Sequence, residues 1–587
     1  MRTENKYKNS IKSTEATMDF RACGGNANSK ISITQKQVCE GIIDVSINYK
    51  LAQKENPQQF WVEFSTPERD IYSMWSPSMN ENRTVGRDYA PRYTYSRLAS
   101  GMPIHCGISL SGKNRITLAL SDAATATVIT SGVDEIDAEI RWKVNFFTMP
   151  ATAIDEYNVT MRIDTRDIPY YDAIYDVVKW WESECGYTPA PVPEFARLPM
   201  NSLWYSYHQV LVPHEIIRQC KLSKPLGMDT VIIDDGWQTT DSGRGYAYCG
   251  DWEPERMPDM KGLVDAIHQT GMKVILWYSV PFVGAHAKIY DEVKEFFLSD
   301  QHMNGGYCLD PRYKFIRERL INLYVNAVKD WGLDGLKLDF IDSFNLSEKS
   351  LAPDSRRDFE SLDDAVDELM IQIHKALSEV NPDIMIEFRQ SYVGPSIRKY
   401  GNMLRVGDCP NDGMLNRRGV VDLRLTSGKT AVHSDMLMWH PTDTNENVAS
   451  QLAATLFGVP QISMRIDELS EEHYNILKHY LAFWREHREV LLDGKLTAQN
   501  PESFYSQVCS ELDGEAVVVV YENTVVCGDY KKFSVVNISS GESIYLKGMC
   551  GKAYRVVDCM GNETSRGVVD GKIFEVNVAM GGMIFVC

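Results

Sequence analysis

The stretch Asp229–Gln238, DTVIIDDGWQ, carries a strand-like apolar run, Val231, Ile232 and Ile233, straight into Asp234, Asp235, Gly236 and Trp237. Neighbouring carboxylates repel each other. A strand that ends on both, beside an indole, must deliver them to something that holds them. The same layout recurs down the middle of the chain. From Met200 onward, strand-like runs end in NSLWYSYH, TVIIDDGW, KVILWYSV, GLKLDFID, IMIEFRQS, MLRVGDCP, AVHSDMLMWH and PQISMRI. Most are separated by amphipathic helical patterns such as PHEIIRQCKLS, MKGLVDAIHQTG, YKFIRERLINLYVNAVKDWG and SLDDAVDELMIQIHKALSEV. Eight strand–helix units over about 290 residues describe a (β/α)8 TIM barrel. A doubly wound open sheet would ask for a glycine-rich phosphate turn after an early strand, and the sequence has none.

The flanks read as β. IDVSINYK alternates Ile43, Val45, Ile47 and Tyr49 with polar residues, and NVTMRIDT repeats the pattern with Val159, Met161 and Ile163, the period of half-buried strands. A helical patch with Trp180 and Trp181 follows, then the proline-rich TPAPVPEFARLP, which reads as a stiff linker. Beyond Gly494 the β signal returns in AVVVVYEN, KFSVVNIS and GGMIFVC. The expected organisation is multidomain: an N-terminal β-sandwich with a short helical linker over 1–185, a central (β/α)8 catalytic barrel over 186–494, and a small C-terminal antiparallel β domain over 495–587.

Composition narrows the partners. With 44% hydrophobic and 24% charged residues, the chain has ordinary globular composition. The net charge of -19 argues against nucleic acid and anionic membranes, both of which attract basic surfaces. The N-terminal MRTENKYKNSIKSTEATMDF has no apolar signal core. The 13 cysteines, without CxxC pairs, fit free thiols in a reducing compartment. The expected location is the cytoplasm.

Polar and aromatic residues gather at the C-terminal strand ends, the face on which such barrels build their sites. Trp204, Asp234, Asp235, Trp237, Trp277, Lys337, Asp339, Arg389, Arg405, Asp408, Asp435, Trp439 and His440 all fall there. Lys337 and Asp339 are two apart on a strand and so share a side. A cation beside a carboxylate keeps it ionised, as a nucleophile requires. Asp408, two strands on, offers a second carboxylate, with Asp412 as its rival. Two carboxylates across a barrel mouth are the parts of glycoside hydrolysis, one as nucleophile or base and the other as acid. Asp234 and Asp235 beside an indole suit a monosaccharide, whose hydroxyls donate to carboxylates while its C–H face stacks on a ring. A divalent metal is the alternative, with His433 or His440 as a further ligand, and a plain Asp-Asp-Gly turn is the structural one. Cys409 reads as a small thiol filling a loop.

VIIDDGWQ, GDWEPERMPDMKGLVDAIHQTGMKVILW, CLDPRYKFI and GLDGLKLDFID, in this order, resemble glycoside hydrolase family 36. That family holds α-galactosidases and raffinose-synthase-like enzymes. The resemblance implies a retaining double displacement without metal or cofactor, with Asp339 as nucleophile and Asp408 as acid/base. It further implies that Asp234 and Asp235 bind the axial 4-hydroxyl and the 6-hydroxyl of galactose. Lys337 would contact a sugar hydroxyl beside the nucleophile, Trp277 would form an aromatic wall, and Arg405 would serve the 2-hydroxyl side. Arg389, Trp204 and Trp237 complete the expected binding set. The chain departs from the family where a Cys-x-x-Gly-Gly-Gly-Arg stretch becomes EFRQSYVGPSIRKYG, where an aromatic-Glu-Pro stretch becomes WYSVPFVG, and where Ser-Asp-x-Thr-Asp becomes VGDCPND. The first of these shapes the C2 side of the sugar. An α-N-acetylgalactosaminidase, an α-galactosyltransferase and a catalytically silent sugar-binding protein therefore stand beside an α-galactosidase. The expected partner is an oligosaccharide or glycoside, and assembly into identical copies is left open.

Overall fold

The computed structural model describes residues 18–77 and 82–587. Residues 1–17, most of the stretch read for a signal, lie outside the described residues.

Eight parallel strands make the centre: Met200–Ser202, Thr230–Ile233, Lys273–Ser279, Gly335–Asp339, Met385–Arg389, Met403–Arg405, Ala431–His433 and Gln461–Ile462. Sequence neighbours pair from the first strand to the seventh, and the first also pairs with the eighth. Parallel bridges His433↔Val459 and Leu437↔Ile462 join the seventh strand region to the eighth, so the sheet closes. The sequence expects eight strands at these places, and all eight form. The first is shorter than its apolar pattern, because the chain turns into a helix at Trp204–Tyr207 directly after Ser202.

Strand alternation sorts the interior into two layers. Near the strand starts, Met200, Ile232, Ile275, Met385, Met403 and Ala431 form a small apolar cluster. Burying each of the Ile and Met side chains stabilises by about 1.5–3 kcal/mol. Two residues further along the same strands the inward positions are polar: Asp234, Trp277, Lys337, Glu387, Arg405 and His433. The proline-rich segment read as a linker does more than link. Its turn Glu194–Arg197 brings Val192, Phe195 and Ala196 under the apolar layer, and the Ala196 carbonyl accepts from His433 Nε2 at 2.8 Å. The segment plugs the bottom of the barrel.

The helices form where the sequence places them: Pro213–Ser223, Met260–His268, Lys314–Trp331 and Leu362–Val380. The Asp259 and Ser361 side chains cap the second and fourth by accepting from the Gly262 and Asp364 amides. Among the described residues, no helix is long and apolar enough to cross a membrane, and all 13 cysteines are free thiols.

Two antiparallel six-stranded sheets form the N-terminal sandwich. Ile42–Glu55 pairs with Ile154–Asp164, Val45 facing Met161 and Ile47 facing Val159, and their buried side chains meet Phe60, Val62, Trp142 and Val144 of the other sheet. The C-terminal sheets are mainly antiparallel, with two parallel pairings, Glu515–Val520 with Lys532–Asn537 and Val525–Cys527 with Ser543–Lys547. Buried contacts tie the three parts together. Arg83 of the sandwich forms an ion pair with Asp422 of the barrel, and the Tyr505 hydroxyl of the C-terminal part donates to the same carboxylate.

Candidate active site

The upper polar layer is a chain of opposite charges passed from strand to strand. Lys337 Nζ donates to Asp234 Oδ2 at 2.7 Å, with both side chains buried. Glu387, fully buried, lies between Lys337 and Arg405; its Oε1 is 3.7 Å from Arg405 Nε, and it accepts from Gln461 at 2.5 Å. Arg405 reaches onward to Asp435 and donates to Asp408 Oδ1 at 2.9 Å. Unpaired charges at this depth would cost several kcal/mol each; the alternation lets the layer exist.

Asp339, at the end of the fourth strand, is caged by donors. Arg389 Nε and the Phe340 amide reach Oδ1, each at 2.9 Å, and the Tyr392 hydroxyl also donates to Oδ1. Trp277 Nε1 donates to Oδ2 at 3.0 Å. Burial alone would raise the Asp339 pKa. The charges of Arg389 and Lys337 and the bonds from Tyr392 and Trp277 outweigh it and hold the group well below the usual carboxylate range. Phe340 sits at φ 64°, a left-handed conformation that costs a bulky residue on the order of 1–3 kcal/mol and accompanies the aim of its amide at the carboxylate.

Asp408 has different surroundings. Its side chain is 51% exposed, and its partner is Arg405. Burial within the mouth raises its pKa, but Arg405, Arg389 and Lys337 pull the carboxyl below its ordinary value. Arg389 thus acts electrostatically on both carboxylates. Asp412, the rival acid, is engaged elsewhere: its side chain caps the helix Gly413–Thr426 by accepting from the Leu415 amide at 3.0 Å.

The two adjacent carboxylates are held by different partners. Asp234 is held by Lys337. Asp235 is buried and accepts from Gln209 at 2.6 Å and Gln238 at 2.7 Å. Burial lifts its pKa to about 6 even against those two amides. Gly236, at φ 113°, makes the turn possible, since a Cβ there would lie 2.6 Å from Gln209 Cα.

Trp237 departs from expectation. It is fully buried, its Nε1 donates to the Trp277 carbonyl at 2.8 Å, and its ring packs on Trp252, Tyr278 and Trp331. It packs behind the strand that carries Trp277. Trp277 braces Asp339, stacked beside Tyr246 at 6.5 Å. Trp204 is half-buried on the short helix after the first strand, with Arg244 over its ring at 5.4 Å. Asp435 is fully buried and accepts from the Cys409 amide at 2.7 Å and the Tyr205 hydroxyl at 2.9 Å. The histidines weighed as metal ligands lie apart from Asp234 and Asp235. His433 bonds Ala196 and Gln461, and the exposed His440 bonds Thr442. Among the described residues, no group of three His, Cys, Asp or Glu side chains is arranged to hold a metal ion.

The sequence reading misses Tyr392, Glu387, Gln209 and Gln238. Glu387 was within reach, lying two residues before Arg389 on one strand and so on the same face. Tyr392 lies in a loop where no periodicity applies.

This fold and this mouth define a glycoside hydrolase barrel, and the comparisons agree. Residues 189–478 match the model of the TIM-barrel domain of glycosyl hydrolases family 31. An A type blood α-D-galactosamine galactosaminidase of Flavonifractor plautii is 29% identical over 135 residues, 20% of this chain and 12% of that protein. The α-xylosidase XylQ of Lactiplantibacillus pentosus is 27% identical over 124 residues, 19% and 16% of the two chains. The aligned part is thus a small share of either curated relative. Among solved structures, the family 36 α-galactosidase AgaA of Geobacillus stearothermophilus in complex with raffinose superposes with a TM-score of 0.66 at 13% identity, over 95% of this chain and 81% of that one. The family model is that of family 31 and the structural likeness is to family 36. What the two share, the glycoside hydrolase barrel, is the assignment that stands.

Proposed function

We propose that the protein is a retaining exo-acting α-glycosidase that releases a terminal α-linked galactose or a close relative from an oligosaccharide or glycoconjugate. The observation that carries this reading is the contrast between the two carboxylates: Asp339 caged and ionised, Asp408 half-exposed at the same mouth. An Asp339 oxygen attacks the anomeric carbon as the bond to the leaving oxygen breaks, and that oxygen takes its proton from Asp408. Asp408, now ionised, accepts a proton from water, whose oxygen displaces Asp339 and frees the sugar. The Arg405 pair favours the ionised form needed in the second half. In the first half, substrate must displace water from Asp408 so that it holds its proton.

Asp234 and Asp235 supply adjacent acceptors for two hydroxyls of one sugar. A 2-amino sugar is the second reading, favoured by the Flavonifractor relative's substrate and by carboxylates outnumbering cations around the mouth.

The test is initial-rate hydrolysis of aryl α-galactoside, α-galactosaminide, α-N-acetylgalactosaminide, α-xyloside, α-glucoside and β-galactoside, with the first-formed anomer read by NMR. Release of an α anomer from an α-galactoside or its 2-amino analogue is expected. Turnover of the β-galactoside alone, or a first-formed β anomer from an α substrate, would sink the proposal.

A further inference from the structure

We propose that Arg97, which belongs to the N-terminal sandwich and not to the barrel, is a positioning residue for the Asp339 loop; the inference rests on the glycosidase reading above. The sandwich hairpin formed by Arg92–Arg97 and Ser100–Gly101 pushes its tip into the top of the barrel. Leu98 and Ala99 at that tip are buried in the same apolar core as Phe344, Tyr392 and Val393. From there Arg97 collects the loop that leaves Asp339. One Nη atom donates to the Asp342 carbonyl; the other donates to the Asn345 side-chain oxygen and to the Phe344 carbonyl at 3.4 Å. The Asn345 amide closes the same turn on the Asp342 and Ser343 carbonyls at 3.3 and 3.2 Å.

The neighbouring residues of the hairpin hold the next loop. The Gly101 amide donates to the Ser391 carbonyl at 2.8 Å, and the Ser100 and Ser391 hydroxyls are 3.0 Å apart. Ser391 lies between Arg389 and Tyr392, two of the donors on Asp339. One hairpin therefore fixes both loops that build the cage.

A guanidinium suits this task because it is planar, always charged and rich in donors, so it can satisfy several carbonyls at once. Those carbonyls belong to the segment that starts at Phe340, whose amide donates to the carboxylate and whose φ is left-handed. Without a clamp the loop can relax, and the carboxylate loses its aim at the anomeric carbon. Misplacement of this kind costs rate more than binding.

The experiment compares wild type, Arg97→Ala and Arg97→Lys on the best aryl glycoside of the panel, with and without millimolar guanidinium. It also measures hydrogen exchange of the 340–346 peptide. For Arg97→Ala we expect kcat to fall about 10- to 100-fold with KM nearly unchanged. Added guanidinium should restore part of it in this variant alone, Arg97→Lys should fall between, and exchange should rise at 340–346. Unchanged kcat would overturn the proposal, as would a loss that guanidinium does not rescue with exchange raised throughout the sandwich. An inactive wild type would count against the glycosidase reading instead, and unchanged exchange at 340–346 would then still overturn the clamp.

Discussion

Asp339 and Asp408 open on the same mouth and are built in opposite ways. Asp339 is buried and receives hydrogen bonds from Arg389, Tyr392, Trp277 and the Phe340 amide. Asp408 stands half in solvent on one arginine. A group that must stay ionised and aimed is best surrounded. A group that must give up a proton and later take one from water needs an approach from solvent. In the proposed mechanism the difference in surroundings, and not the residue type, separates the two roles.

The comparison breaks most sharply at Asp339. Asp339→Asn should lower kcat by about 10^4-fold or more while sugar binding persists in a titration. Turnover within tenfold of wild type would end the assignment. Asp408→Ala should cost about 10^2- to 10^4-fold on a glycoside with a poor leaving group and far less on an activated aryl glycoside, whose departure needs no proton. Equal losses on both would remove Asp408 from the acid role. Lys337→Met leaves Asp234 buried without its partner and should lower stability by about 3–5 kcal/mol, read from the denaturant midpoint of the barrel.

Arg389→Met sharpens the electrostatic half of the comparison. Asp339 must be ionised to act, so activity is lost as pH falls through its pKa. Arg389 holds that pKa down, so its removal should move the acid limb of kcat/KM to higher pH, whereas an unmoved limb would show that the remaining donors suffice. The smallest effect is expected at Trp237→Phe, which gives up one buried bond to the Trp277 carbonyl. The cost should be about 1 kcal/mol of stability, with KM little changed, because the ring is fully buried among Trp252, Tyr278 and Trp331.

Taken alone, the sequence determines whatever periodicity dictates. Short apolar runs alternating with amphipathic helices specify the eight barrel strands and the helices between them. Period-two spacing puts Lys337 with Asp339 and Glu387 with Arg389. Residue type at a strand end marks the mouth. Tertiary structure decides what depends on residues far apart in the chain. It turns the proline-rich linker into a plug under the barrel, moves Trp237 behind the wall, makes Asp412 a helix cap, and brings Tyr392 and Arg97 to the Asp339 loop. The physical reason is that a strand period fixes which way a side chain points, while a carboxylate's pKa and aim depend on which donors packing gathers around it.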